Sequence, residues 1–356
     1  MKRKLLTPGP VEVPDIVTNA ISQPVIPHRS TAFESFYSNL LKDLTYFFQT
    51  SHHTCCLIGS GTYGVEIAMY SLYHSGDEVI VISIGKFSQR WVDYGKQLGL
   101  NVIEINKPWG ETVTPMEISS IVREHPQCKG IVLTHCETST GVLLDLEEMI
   151  WEIRNVKEDL LICVDAITSV GAVPFYFDSW DVDCAIVASQ KSLMNPAGVC
   201  AFALSERAVR GLTETHHSDF RNLYNYLSFA RKGSYPYTPP VQLLYGIQAS
   251  LTYFRQMELP RLWNQVHIKA ITFREGLKEI GGELFGTDYS SSLTAFYFPK
   301  QDMSMIKMRL EKKYNIFISG GQGHLKGNIL RISHMGMSTH EDMKEVVDRL
   351  KQVIQD

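Results

Sequence analysis

An α/β fold built on a largely parallel sheet, followed by a smaller α+β domain, is what this sequence predicts. Three observations carry that expectation. Short apolar runs recur from Thr54 to Leu204, helical patterns lie between several of them, and the rhythm changes after roughly Pro240. Buried parallel strands read as continuous apolar runs because helices cover both faces of the sheet. A parallel neighbour also needs a crossover, usually a helix and nearly always right-handed.

Taken in order, Phe33, Phe36, Tyr37, Leu40, Leu41, Leu44, Phe47 and Phe48 fall on one helical stripe. A strand at Thr54–Ile58 runs into glycines, and a helix is expected from Thr62 to about His74. Six more strands are expected at Glu78–Ser83, Asn101–Ile105, Lys129–Thr134, Leu160–Val164, Asp183–Ala188 and Val199–Leu204, giving a seven-stranded sheet. Helices are expected around Gln89–Leu98, Pro115–Glu124 and Asp145–Val156. Beyond them a long helical region spans about Val241 to Ile280 and breaks near Pro260. An alternating run Leu293–Phe298, a helix around Met303–Tyr314, a strand Ile329–Ser333 and a closing helix Glu341–Ile354 complete the second domain. The expected division is 16–245 for the large domain and 246–356 for the small one.

Composition narrows the function. Of 356 residues 44% are hydrophobic and 20% charged, a globular balance, and 34 basic against 38 acidic residues give a net charge of −4. A protein that grips nucleic acid through a basic face carries a Lys/Arg excess, so no nucleic-acid partner is expected. The start Met-Lys-Arg-Lys-Leu-Leu runs at once into Thr7-Pro-Gly-Pro10, too short an apolar stretch for a signal peptide. No membrane span is expected either. Seven cysteines without a C-x-x-C, the last at Cys200, argue against a disulfide framework or zinc ribbon and for a reducing, cytoplasmic setting. His52-His53 and His216-His217 lack metal-ligand spacing, and no metal is expected.

Gly59-Ser-Gly-Thr-Tyr-Gly64 matches G-x-G-x-x-G between a strand and a helix. A dinucleotide site also needs an acidic residue closing the next strand, but Glu78–Ser83 ends in Ser-Ile-Gly, which disfavours an NAD-binding oxidoreductase. The loop still suits a single phosphate: glycines permit close approach, and a helix start offers free N–H groups. A plain tight turn with a Ser or Thr helix cap is the alternative.

Lys191 follows the apolar strand Asp183–Ala188, and Asp165 ends the run Leu160–Val164, so both arrive at the carboxyl edge of the sheet. A lysine there can be desolvated, which lowers its pKa and frees the amine for Schiff-base chemistry. An aspartate buried there calls for a cationic partner. Pyridoxal phosphate would explain all three features, through its aldehyde, its ring nitrogen and its phosphate.

At these residues the chain resembles the class V aminotransferases of the fold-type I pyridoxal phosphate enzymes. The resemblance runs through Thr7–Pro10, His28-Arg-Ser30, Gly59–Thr62, Gly85–Arg90, His135–Gly141, Asp165, Gln190-Lys191, Tyr235–Pro240 and Arg331. It implies a Schiff base at Lys191, whose amine then shuttles the substrate proton, and a pyridinium partner in Asp165. Ser60, Gly61, Thr62 and Gln190 would hold the phosphate. Tyr235 and Thr238 would reach it from the other subunit of a homodimer with shared active sites. Phe87 would stack on the ring, Thr138 would sit near its phenolic oxygen, and Ile167 would lie beneath it. Arg331 would take the substrate α-carboxylate, Gly9 would contact substrate, and residues 1–15 would lie over the active site. Cys136 and Asn195–Gly198 depart from the alanine–glyoxylate pattern.

The expected reaction is ping-pong transamination from a small amino acid such as alanine or serine to pyruvate or glyoxylate. A 2-aminoethylphosphonate–pyruvate transaminase is the alternative, suggested by Leu6–Pro10 and Thr294–Tyr297. Desulfurase chemistry is disfavoured, because no cysteine follows Cys200 and Gln190 stands where desulfurases usually have His.

Overall fold

The computed structural model describes residues 3–212 and 219–355, so the His216-His217 pair lies outside the described residues. The main sheet has seven strands: β1 (His53–Ile58), β2 (Glu78–Ser83), β3 (Asn101–Asn106), β4 (Gly130–Thr134), β5 (Leu161–Asp165), β6 (Cys184–Ala188) and β7 (Val199–Leu204). Their spatial order is β1-β7-β6-β5-β4-β2-β3. Only β7 runs against its neighbours, pairing antiparallel with both β1 and β6. Residues such as Ile80, Ile131, Ile162 and Ile186 are fully buried, as strands covered by helices on both faces must be.

Those helices include α1 (Thr31–Phe48), α2 (Gly61–Leu72), α3 (Lys86–Gln97), α4 (Pro115–Glu124) and α5 (Leu146–Val156). In α1 the expected stripe is buried from Phe33 to Phe48, apart from the half-buried Phe36. The helix expected at Gln89 starts at Lys86 instead. Its first turn has no apolar stripe to announce it; a distant buried carboxylate, Glu137, takes its free amides.

The long C-terminal helical region is two helices, α6 (Val241–Met257) and α7 (Leu259–Glu279). The break falls at Glu258, whose φ is 60°, and Pro260 lies in the first turn of α7, where a missing N–H costs nothing. Pro260 therefore opens a helix and interrupts none. The change of core falls later than residue 245: Leu251, Leu262 and Val266 still pack on the larger core, and the second core begins at Phe273.

That second core fills a four-stranded antiparallel sheet of β8 (Glu283–Leu284), β9 (Leu293–Tyr297), β10 (Ser319–Gly320) and β11 (Leu330–Ser333), ordered β8-β9-β11-β10. Helices α8 (Met303–Tyr314) and α9 (His340–Gln355) complete it. Strand β9 is buried on both faces rather than alternating: Phe296 joins the core with Phe273, while Ala295 packs with Leu325 and Ile329. The first residues of the chain tie the two parts together. Lys4–Leu5 adds parallel to Ile316–Phe317, and Val11 N–H then donates to Gln190 O at 3.1 Å. Among the described residues no helix is long and apolar enough to cross a membrane.

Candidate active site

A cavity of about 120 Å³ lies at the carboxyl ends of β5 and β6. It is lined by Gly61, Thr62, Phe87, Arg90, Cys136, Thr138, Asp165, Ile167, Gln190 and Lys191. Eight residues singled out from the sequence thus meet in one place, although they come from widely separated segments. Sheet topology does this, because each strand delivers its next residues to the same edge.

Lys191 donates from Nζ to Pro8 O at 2.6 Å and stands 6.0 Å from the centre of the Phe87 ring. Burial lowers its pKa to about 8, helped by the Arg331 charge and opposed by Asp165 and Cys136. The N-terminal segment does lie against this lysine. A Cβ on Gly9 would come within 2.6 Å of the Lys191 side chain, and φ of +130° at Gly9 is itself a glycine conformation.

Asp165 is 6% exposed and accepts from Trp91 Nε1 at 3.3 Å and from Ile167 N–H at 3.1 Å. Burial dominates and raises its pKa to about 6, against the pull of those two donors. A carboxyl group so placed gains from a cation in the cavity, which fits a protonated ring nitrogen.

The glycine loop has the form of an anion cradle. Ser60 holds the N-cap position of α2 without a side-chain capping bond, so the capping alternative does not describe it. Gly64 N–H is the first amide to close a helical bond, to Ser60 O at 3.0 Å, leaving the amides of Gly61, Thr62 and Tyr63 ahead of it. A Cβ on Gly61 would meet Ile167 Cδ1 at 2.6 Å, so glycine keeps the apolar floor in place. Gln190 Oε1 is buried without a hydrogen-bond partner among the described residues. A phosphate would take the NH2 end of this amide, so Gln190 fits the cradle with its side-chain amide turned over. Lysine, buried acid and cradle together fit pyridoxal phosphate.

Thr138 does not cap a turn: its hydroxyl is 2.9 Å from that of Thr168, which in turn donates to Cys136 O at 3.0 Å. The Cys136 thiol reaches Ser292 Oγ at 3.2 Å, bringing the small domain to the cavity wall. Arg331 lies just behind. It is 5% exposed and donates to Thr138 O at 2.7 Å and to Gly320 O at 3.0 and 2.8 Å, with no carboxylate in reach among the described residues. Burial lowers its pKa to about 10.

Tyr235 and Thr238 are not brought to the cavity of their own chain. Tyr235 is 1% exposed, its ring set edge-on against Tyr37 and Tyr226. Thr238 is exposed. His53 pairs with Glu206 at 2.7 Å, and among the described residues no three His, Cys, Asp or Glu side chains could hold a metal ion.

Sequence reasoning assigned no role to Glu137, Arg90 and Trp91, although each lies within or beside a motif it noted. Glu137 is fully buried and accepts from the amides of Phe87, Ser88 and Ser139 and from the hydroxyls of Ser88 and Ser139, at 2.6–3.2 Å. A carboxylate here satisfies the start of α3, favours its dipole, and fixes the backbone that carries Phe87. Replacing it with alanine strands several buried donors. Glu137→Ala is therefore expected to lose about 3–5 kcal/mol of stability in urea unfolding. A loss below about 1 kcal/mol would show that these bonds do not matter.

The comparisons with known proteins point the same way. The family model for class-V aminotransferases matches residues 15–346. A relative from Synechococcus sp., named as the small subunit of a soluble hydrogenase, is 32% identical over 99% of this chain and 93% of its own. The serine–glyoxylate aminotransferase of Methylorubrum extorquens is 29% identical, covering 94% of this chain and 87% of its own. The crystal structure of an alanine–glyoxylate aminotransferase from Nostoc sp. superposes with a TM-score of 0.92 at 30% identity, over 99% of this chain and 96% of the other. With this fold-type I architecture and this cavity, the chain belongs to the class-V aminotransferases, and pyridoxal phosphate is its cofactor.

Proposed function

We propose that this aminotransferase moves an amino group from a small α-amino acid to pyruvate or glyoxylate in a ping-pong cycle centred on Lys191. Arg331 is the observation that carries the reading. A buried guanidinium that, among the described residues, bonds only to carbonyl oxygens has the charge, and donors to spare, for a carboxylate arriving from the cavity side. Its position behind Thr138 fits the α-carboxylate of a donor whose amine faces Lys191. The serine–glyoxylate and alanine–glyoxylate names of similar proteins support the same substrate classes.

Bound pyridoxal phosphate supplies an aldehyde for the amino group and a cationic ring that draws electrons from the substrate Cα. The chain does the rest. Asp165 would hold the proton of the ring nitrogen, and Phe87 and Ile167 would hold the ring. Lys191, as a neutral amine, takes the proton from Cα and returns it on the other side of the transfer. The N-terminal segment around Pro8 and Gly9 covers Lys191 and would exclude water from this chemistry. A homodimer with Thr238 presented to the neighbouring cavity completes the reading.

The test is a donor panel read as cofactor absorbance: alanine, serine, aspartate and 2-aminoethylphosphonate, each mixed with holoenzyme without acceptor. Alanine or serine should convert the cofactor to its amino form, and pyruvate or glyoxylate should reverse the change. Conversion by 2-aminoethylphosphonate alone would overturn the α-amino acid reading in favour of the phosphonate one.

A further inference from the structure

The cofactor's phosphate is a dianion, yet none of Ser60, Gly61, Thr62, Gln190, Tyr235 and Thr238 carries a positive charge. Hydroxyls and amides orient an anion well but do not neutralise it in a partly desolvated cavity. A cation is missing from that set, and the structure holds one in the right place. Arg90 lines the cavity beside Gly61 and Thr62, with Nη1 at 2.9 Å from Thr62 Oγ1. Its guanidinium lies 4.7 Å from the centre of the Phe87 ring, one turn earlier on α3. No carboxylate pairs with it among the described residues, in contrast to Arg154 and Arg207, which both reach Asp183.

We propose that Arg90 is the counter-charge of the cofactor phosphate, holding it against the start of α2 while orienting the Thr62 hydroxyl toward it. This rests on the pyridoxal phosphate reading of the cavity and assigns Arg90 to the phosphate end, apart from Arg331. Geometry separates the two arginines. Arg90 bonds the helix-start threonine, whereas Arg331 bonds carbonyls of Thr138 and Gly320 on the small-domain side. Both charges also act on Lys191, lowering its pKa, so the cavity is crowded with cations before any ligand enters. Such a surplus matches two anions, the phosphate at one end and the substrate carboxylate at the other.

The experiment compares apo-protein and the Arg90→Gln variant in titrations with pyridoxal phosphate and, separately, with pyridoxal, which lacks the phosphate. Binding is read by absorbance and intrinsic fluorescence rather than by turnover. Arg90→Gln should weaken pyridoxal phosphate roughly 10- to 100-fold while leaving pyridoxal within about twofold, and Arg90→Lys should recover part of the loss. Equal weakening of both ligands would overturn the proposal and make Arg90 a support for Phe87. Unchanged cofactor affinity, with a raised KM for acidic donors, would overturn it too and move Arg90 to the substrate. Failure of the unmutated protein to take up either ligand would instead sink the cofactor reading beneath it.

Discussion

Lys191→Ala is expected to lower kcat for transamination by roughly 10⁴-fold, because one side chain both carries the cofactor and moves the substrate proton. The fold explains why this lysine can do so. It follows the fully buried strand β6, and its amine has the Pro8 carbonyl for company but, among the described residues, no carboxylate in an ion pair. With a pKa near 8, about a tenth of the amine is neutral at pH 7, against roughly 0.03% for a lysine at its ordinary value. That is a gain of about 300-fold in reactive amine. The sign gives a second readout. Only the neutral amine attacks an aldehyde, so the rate of cofactor uptake by apo-protein should rise with pH and level off above about 8. A rate still climbing steeply at pH 10 would mean that the amine is not desolvated. Residual turnover within a hundredfold of the unmutated enzyme would mean that another residue moves the proton. Borohydride reduction of the holoenzyme followed by peptide mapping should place the cofactor on Lys191, which separates attachment from proton transfer.

Much of this site was legible because its parts sit at strand ends. An apolar run that stops at Asp165, or leads into Gln190-Lys191, says where the side chain arrives even before the neighbouring strand is known. The seven strands were readable for the same reason: a sheet covered on both faces leaves uninterrupted apolar runs. What stayed hidden depends on contacts between distant segments. Glu137 lies in a polar stretch that no periodicity marks, and its meaning appears only when Phe87 and Ser88 present their amides to it. Arg90 has no role legible within the Gly85–Arg90 motif, because its partner Thr62 lies on another helix. The start of α3 at Lys86 was missed because a carboxylate from residue 137 caps it. The helical region breaks near Pro260, as its proline suggests, but the turn itself falls at Glu258, whose positive φ has no sequence signature. The Thr7–Pro10 segment resembled the family without declaring its geometry, and only the fold lays its Pro8 carbonyl on Lys191.

Asp165→Asn should separate what the site costs from what it does. The carboxyl of Asp165 has a pKa of about 6 in the folded apo-protein and an ordinary 3.8 when the chain is unfolded. Between those values the native state holds a proton that the unfolded state has released. Stability therefore falls as pH rises from about 4 to 6 and stays lower above it. Roughly two pKa units correspond to about 3 kcal/mol of lost stability at neutral pH, the penalty for a buried carboxylate that its two donors and the Lys191 charge offset only in part. Asparagine cannot ionise, though its amide turns an N–H toward one of the two donors, Trp91 Nε1 or the Ile167 amide, which offsets part of the gain. Apo Asp165→Asn is thus expected to be more stable than the unmutated apo-protein by about 1–2 kcal/mol at pH 8 and no more stable at pH 4.5. Urea unfolding of both proteins at the two pH values measures this, and groups common to both cancel in the difference. Cofactor reverses the order. Its ring cation relieves the buried charge only in the unmutated protein, so kcat at saturating pyridoxal phosphate should fall roughly 10³-fold in the variant. Parallel stability curves would show that the carboxyl is not strained by burial, and a variant within tenfold of normal kcat would remove Asp165 from the ring nitrogen. If both effects appear together, a residue that weakens the empty protein is one that the loaded enzyme needs.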